Sequence, residues 1–380
     1  MIVPRWGPAL ASAAAAVAVL AGCSFGPSGD TTGQPPNLTY SPSPLPSPSE
    51  DTADTGAQVL AKGLRVPWGV GFLPDGSALV TERDTHRILR VTAGGRVTPV
   101  QTVPGVVSGG EGGLLGLAVS PRYTADRTVY VYYTTARDNR IAKLVLGSTP
   151  VPILTGIPAG QHHDGGRIAF GPDGYLYAGT GDAGVRGTAQ DPRSLGGKIL
   201  RMTTDGGPAP GNPRPRSVVW SLGHRNVQGL AWDAAKRMYA TEFGQNRFDE
   251  LNRIEPGENY GWPAVEGTGG GSRFTDPLVT WPTDEASPSG LAIGGDVAVL
   301  ACLRGERLYA VQLDPATGRP AAAPQAVLVN RYGRLRTVAA APDGSLWVTT
   351  SNRDGRGRPT ADDDRILRIV PPGGGGVSVL

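Results

Sequence analysis

The stretch that decides the fold is Phe170-Gly171-Pro172-Asp173-Gly174-Tyr175-Leu176-Tyr177-Ala178-Gly179-Thr180-Gly181, because its pattern returns elsewhere in the chain. Phe72-Leu73-Pro74-Asp75-Gly76 precedes Ser77-Ala78-Leu79-Val80-Thr81, and Ala341-Pro342-Asp343-Gly344 precedes Ser345-Leu346-Trp347-Val348-Thr349. Proline fixes φ and glycine accepts φ > 0, so each Pro-Asp-Gly reads as a tight turn. The runs beside it are aromatic and β-branched or alternate in polarity, as strands do. Degenerate copies come after Val119-Ser120-Pro121 and Leu230-Ala231-Trp232-Asp233, and a sixth lies in the apolar run around Val297 to Val311. Copies recur at roughly 45 to 65 residues, at or just above the period of propeller blades. The pattern therefore predicts an all-β, six-bladed β-propeller of four-stranded antiparallel blades over residues 57–372. A pair of β-sandwiches is the alternative, and it leaves the period unexplained.

Composition agrees. The chain has 380 residues, 39% hydrophobic and 18% charged, with 56 glycines and 35 prolines. That turn-rich, charge-poor balance suits β structure, and no long stretch carries helical periodicity. A net charge of +3 without a Lys/Arg cluster interleaved with aromatics argues against a nucleic-acid partner. Arg5, the apolar run Ala9–Leu20 and Leu20-Ala21-Gly22-Cys23 read as a signal peptide over residues 1–23. The tetrapeptide resembles the bacterial lipoprotein box. The expectation is an exported, extracytoplasmic protein held on the membrane by lipid at Cys23; cleavage of an ordinary signal nearby is the alternative. Residues 24–56, rich in Pro, Ser and Thr, read as a disordered linker, and the Gly-rich residues 373–380 as a flexible tail. Cys302, the other cysteine, sits in an apolar run and reads as a small buried hydrophobe.

In a propeller, loops from distant blades meet at one mouth of the central channel, so polar, glycine-rich breaks in the repeat are candidate site elements. Five stand out: Gly109–Gly116 around Glu111, Gly160–Asp182 with His162, His163, Asp164 and Arg167, Leu222–Gly229 with His224, Arg225 and Asn226, Glu242–Pro263, and Arg334-Leu335-Arg336. Strand alternation puts Arg334 and Arg336 on one side. Each alone reads equally well as a turn, a cap or a solvated charge. Together they supply a proton acceptor, several guanidiniums and many oxygen ligands, an inventory for an anionic small molecule with a hard cation such as calcium. Phosphate-loop and dinucleotide signatures are absent.

From about Leu64 to Ile369 these motifs, in this order, resemble the soluble aldose sugar dehydrogenases that use pyrroloquinoline quinone, the glucose/sorbosone dehydrogenases. The resemblance implies a six-bladed propeller with the quinone at the channel mouth and calcium beside it. It implies oxidation of the anomeric hydroxyl of an aldose to a lactone, with electrons passed to an external acceptor. His163 falls on the general base, Asp182 on the carboxylate that orients it, and Arg225 on the group that stabilises charge on the quinone oxygen. Asn226, Thr283, Arg334 and Arg336 fall on cofactor contacts, and Gly244 and Gln245 on the pair whose carbonyls bind calcium. Departures are Glu111 for a glutamine, Arg304 for a cofactor-contacting lysine, Gln245 for a proline and Thr337 for an aspartate. Glu111 and Arg304 stay assigned to the cofactor pocket. A non-catalytic surface propeller that binds sugar or a partner protein is the competing expectation.

Overall fold

The computed structural model describes residues 1–2 and 56–370. The signal segment, Cys23, nearly all of the linker and the Gly-rich tail lie outside the described residues. Among the described residues twenty-four strands form six four-stranded antiparallel sheets. Helix among the described residues amounts to Tyr123–Asp126 and two short 3₁₀ turns.

In blades I to V the first strand in sequence lies innermost: Pro67–Phe72 in blade I, Leu114–Val119 in II, Ile168–Phe170 in III, Val227–Trp232 in IV and Pro288–Gly294 in V; in blade VI the innermost strand is Leu335–Ala340. Blade VI closes the ring. Its outermost strand is the first of the propeller, Ala57–Ala61, paired antiparallel with Ile366–Ile369 at the other end of the chain. The predicted repeat corresponds to the link between a blade's first and second strands. In blades I, III and VI the turn glycines Gly76, Gly174 and Gly344 have φ of 78°, 79° and 80°. The turn aspartate accepts the amide two residues on, as from Ser77 to Asp75 and from Ser345 to Asp343.

The core is divided into six apolar clusters, one in each gap between neighbouring blades. Tyr132, Ile141 and Ile168 lie between II and III, for example, and Val299, Leu335 and Val348 between V and VI. Buried Cys302 belongs to the cluster between IV and V. Antiparallel topology then sorts the loops. Links from first to second strand leave at one end of the barrel. Links from second to third strand, and from one blade to the next, gather at the opposite end. All five signature stretches supply residues to that second end.

Candidate functional site at the channel mouth

His163 lies in the link from blade II to blade III, and Asp182 in the loop after that blade's second strand, Leu176–Gly179. The backbone at His163 has φ 64°, a left-handed conformation that costs a non-glycine residue about 1 kcal/mol or more. It is held there from both sides. Its amide donates to Glu111 Oε2 at 2.9 Å, and its carbonyl accepts from Ala183 at 3.1 Å. A Cβ at Gly181 would lie 1.8 Å from that carbonyl oxygen, so glycine is what lets the two loops close.

The imidazole Nδ1 is 2.6 Å from Asp182 Oδ1, and Nε2 is 2.7 Å from Arg225 Nη2. A guanidinium can only donate, so Nε2 is the acceptor and the ring hydrogen sits on Nδ1, facing the carboxylate. Asp182 is fully buried. Burial pushes its carboxyl up, but donors from His163, Gly184 and Trp262 outweigh that and hold it below the usual carboxylate range. The Trp262 indole N–H reaches Asp182 Oδ2 at 2.8 Å.

Arg225 is fixed by its neighbours. Nη1 donates to the Phe243 carbonyl at 2.9 Å, and Nε and Nη2 both donate to Gln245 Oε1, at 3.1 and 2.8 Å. Its guanidinium lies 5.5 Å from the Trp262 ring centre. Burial lowers its pKa against the pull of Asp182 and Glu111. Asn226 accepts the Gly165 amide at 3.0 Å and approaches Glu111 Oε2 at 3.4 Å. Burial likewise pushes Glu111 up, and the His163 amide and the Arg356 guanidinium reverse it, leaving it ionised. His162 is solvent-exposed, its ring 4.0 Å from Glu111. His224 is structural: buried, it bonds Glu242 and Ser221.

Beside this cluster Gly244 donates its amide to Asp249 at 2.9 Å, and the amides of Gln245, Asn246, Arg247 and Phe248 converge on Glu266 Oε1. Among the described residues no donor bonds the carbonyls of Gly244 or Gln245. Arg334 and Arg336 do share a side, and both meet Asp354 Oδ2, at 2.9 and 3.3 Å. Arg167 lies within the channel, 4.3 Å over the Trp68 ring, and bonds the Gln228 carbonyl and Thr337. Thr283 and Arg304 meet each other on the rim, Arg304 Nη1 standing 3.5 Å from the Thr283 carbonyl. Neither is hydrogen-bonded to the His163 cluster.

The motifs therefore converge, and they are completed by Trp262, which the sequence placed in the stretch Glu242–Pro263 without a role, and by partners that the sequence did not single out. Trp262 and Glu266 come from the excursion between the third and fourth strands of blade IV. That segment returns beside blade III, where Asn259 bridges to Leu222. Asp354 and Arg356 come from blade VI, and the Gln245 side chain, not only its carbonyl, is used. A signal existed for Asp354, since two arginines on one strand face need a counter-charge.

Comparison with known proteins bears on the same residues. The family described as glucose/sorbosone dehydrogenase matches residues 64–367. The PQQ-bound aldose sugar dehydrogenase of Streptomyces coelicolor superposes with a TM-score of 0.80 at 55% identity, covering 82% of this chain and 97% of that one. Aldose sugar dehydrogenase YliI of Escherichia coli is 27% identical over 344 residues, 80% of this chain and 92% of that protein. Quinoprotein glucose dehydrogenase B of Acinetobacter calcoaceticus is 32% identical over 251 residues, 55% of this chain and 52% of that protein.

Proposed function

Because the chain belongs to the glucose/sorbosone dehydrogenase family, we propose that it is an oxidoreductase that oxidises the anomeric hydroxyl of aldose sugars to lactones, with pyrroloquinoline quinone as cofactor and calcium beside it. The observation that carries this reading is the Asp182–His163–Arg225 relay, set at the channel mouth beside a cluster of buried arginines.

The residues present fit such a cofactor. Arg167, Arg334 and Arg336 are buried, and among the described residues Asp354 is the one carboxylate bonded to any of them. Burial first, then the neighbouring Arg336 charge, pulls Arg167 down to about 9. Burial, with Arg83 and Arg334 adding to it against Asp354, brings Arg336 to about 10. A ligand with several carboxylates relieves that excess of positive charge. Arg334, Arg336, Asn226, Thr283 and Arg304 are the residues proposed to hold it, with Glu111 bordering the pocket. The free carbonyls of Gly244 and Gln245 are oxygen ligands of the kind calcium prefers.

When bound, the quinone supplies the two-electron acceptor and calcium a Lewis acid. The protein supplies the proton chemistry. His163 Nε2 receives the hydroxyl proton once the substrate takes the place of the Arg225 hydrogen bond. Asp182 keeps the other ring hydrogen on Nδ1 and stabilises the imidazolium that forms. Arg225, clamped by Gln245 and Phe243, presents a fixed positive charge to negative charge that develops beside it.

The test is reconstitution of the purified chain with the quinone and calcium, followed by cofactor absorbance and dye reduction with a panel of aldoses. His163→Gln lowers turnover about a hundredfold or more with the fold intact. Cofactor absorbance and dye reduction both lacking would instead assign the chain to a non-catalytic surface propeller. Export and a lipid anchor at Cys23 complete the reading, export supported by Arg5 and the apolar run Ala9–Leu20 and the anchor by Leu20-Ala21-Gly22-Cys23. Mass spectrometry of the membrane-fraction N-terminus tests them.

A further inference from the structure

A second opening adjoins the channel mouth, a cleft of about 440 Å³ walled by the link from blade V to blade VI and by the loop after the second strand of blade VI, Leu346–Thr350. Both loops belong to the end of the propeller that carries His163. Arg331 and Arg358 stand on this wall exposed, and neither has a carboxylate partner among the described residues. The Arg331 guanidinium lies 5.7 Å from the Tyr332 ring centre. Of the acids on the wall, Asp363 is committed to Thr360 and Arg365, which leaves Glu306 against the two unpaired guanidiniums.

Arg356 joins this cleft to the site, because it lines both the cleft and the cavity beneath Glu111. Its Nη1 donates to Glu111 Oε1 at 3.0 Å, and its amide donates to Asp354 Oδ1 at 2.9 Å. Glu111 Oε2 in turn holds the His163 amide. The loop is packed into place: a Cβ at Gly357 would lie 2.6 Å from the Asn352 carbonyl oxygen and 2.9 Å from Arg334 Cδ. A chain of hydrogen bonds thus links His163 through Glu111 and Arg356 to the wall of a cation-rich cleft of the size that small ligands fill.

We propose that this cleft binds the anionic part of the substrate, so that the preferred substrate is a saccharide carrying carboxylate or phosphate groups, with its reducing end at His163. The planar guanidinium forks of Arg331, Arg356 and Arg358 match either oxyanion. The Tyr332 ring adds an aromatic face, a group suited to a sugar, while buried Asn352 braces the wall by bonding the Arg334 amide and the Tyr332 carbonyl. Arg334 and Arg336 are not part of this cleft, since Asp354 holds them on the side of the cofactor pocket. The inference rests on the reading of the site as a sugar dehydrogenase.

The experiment uses the full chain reconstituted with quinone and calcium. Glucose and galactose are compared with glucuronate, galacturonate and glucose 6-phosphate, in wild type and in the double variant R331S/R358S. Calorimetric binding of trigalacturonate and of inorganic phosphate to the chain without cofactor is measured in parallel. Expected is a kcat/KM about tenfold higher for the carboxylate or the phosphate sugars than for the neutral ones, shrinking with salt. The double variant is expected to lose that preference and to leave neutral-sugar turnover unchanged. The two acidic arms distinguish the oxyanion. Equal use of neutral and acidic sugars, or a preference that survives in R331S/R358S, overturns the proposal while the dehydrogenase reading stands. No turnover of any aldose, with arginine-dependent trigalacturonate binding retained, overturns that reading and leaves the cleft assignment. An effect of the variant confined to reduction of an acidic protein acceptor would make the cleft an acceptor dock and overturn the proposal.

Discussion

Replacing Asp182 by asparagine keeps the shape of the side chain and removes its charge. With the amide oxygen at the Oδ1 position, the donors from His163 Nδ1 and Gly184 are still met. The amide NH₂ then faces the Trp262 indole N–H, donor against donor. Turned over, it faces two donors, and His163 must carry its hydrogen on Nε2, where Arg225 already donates. The first orientation is the cheaper, with one buried clash costing about 1–3 kcal/mol of stability. Catalysis loses more. The imidazolium that forms when His163 takes the proton meets a neutral amide in place of a carboxylate. Losing a charge-assisted bond of about 1.5–3 kcal/mol, plus part of the Coulomb attraction at an intermediate dielectric, removes roughly 3 kcal/mol from the transition state. At about 1.36 kcal/mol per factor of ten, kcat falls roughly 150-fold, with KM little changed. The assay is dye-linked steady-state kinetics at saturating quinone and calcium, with cofactor absorbance and thermal melting as controls. The double exchange D182N/W262F removes the clash, so stability recovers and turnover does not. A D182N protein that binds cofactor, melts normally and turns over within about threefold of wild type would refute the relay.

Trp262→Phe alone leaves a ring beside Arg225 but deprives buried Asp182 Oδ2 of its donor, and kcat is expected to drop about tenfold; unchanged kinetics would remove Trp262 from the site. Gly181→Ala drives a Cβ into the His163 carbonyl, where both sides are backbone, so activity is lost and unfolding is easier by about 1–3 kcal/mol; a fully active variant would contradict the loop packing. Stability without calcium is expected to decline as pH rises. Burial pushes Asp249 up to about 6, and burial, then the Glu242 charge, pushes Glu250 up to about 8. Folded carboxyls that hold their protons contribute fully below about pH 4, and the contribution is lost as pH climbs through those folded values. Glu250→Gln cannot ionise and so flattens the melting temperature between pH 6 and 8; parallel profiles for the two proteins would rule this out.

Much of this protein is local in origin. A Pro-Asp-Gly turn is specified by three adjacent residues, and the recurrence of the same φ near 80° at Gly76, Gly174 and Gly344 shows the repeat doing the same task in each blade. The propeller was therefore readable from its period. The pairing of His163 with Asp182 came from the family resemblance, and its physical cause is short-range, since both flank one blade's first two strands. Other partners have no such local cause. Glu111 and Arg356 are 245 residues apart and pair only because the ring closes through Ala57–Ala61. Trp262 lies on a connection whose topology points it away from the mouth, and it arrives there by folding back along blade III. Gln245 reads as a carbonyl donor in sequence, yet its side chain clamps Arg225. The chain alone determined the turns, the period and the proton-handling pair, because those depend on neighbours in sequence. Closure of the ring and the fold-back of blade IV decided the rest, because Glu111 takes Arg356 from another blade and Asp182 takes Trp262 from a loop that returns to the mouth.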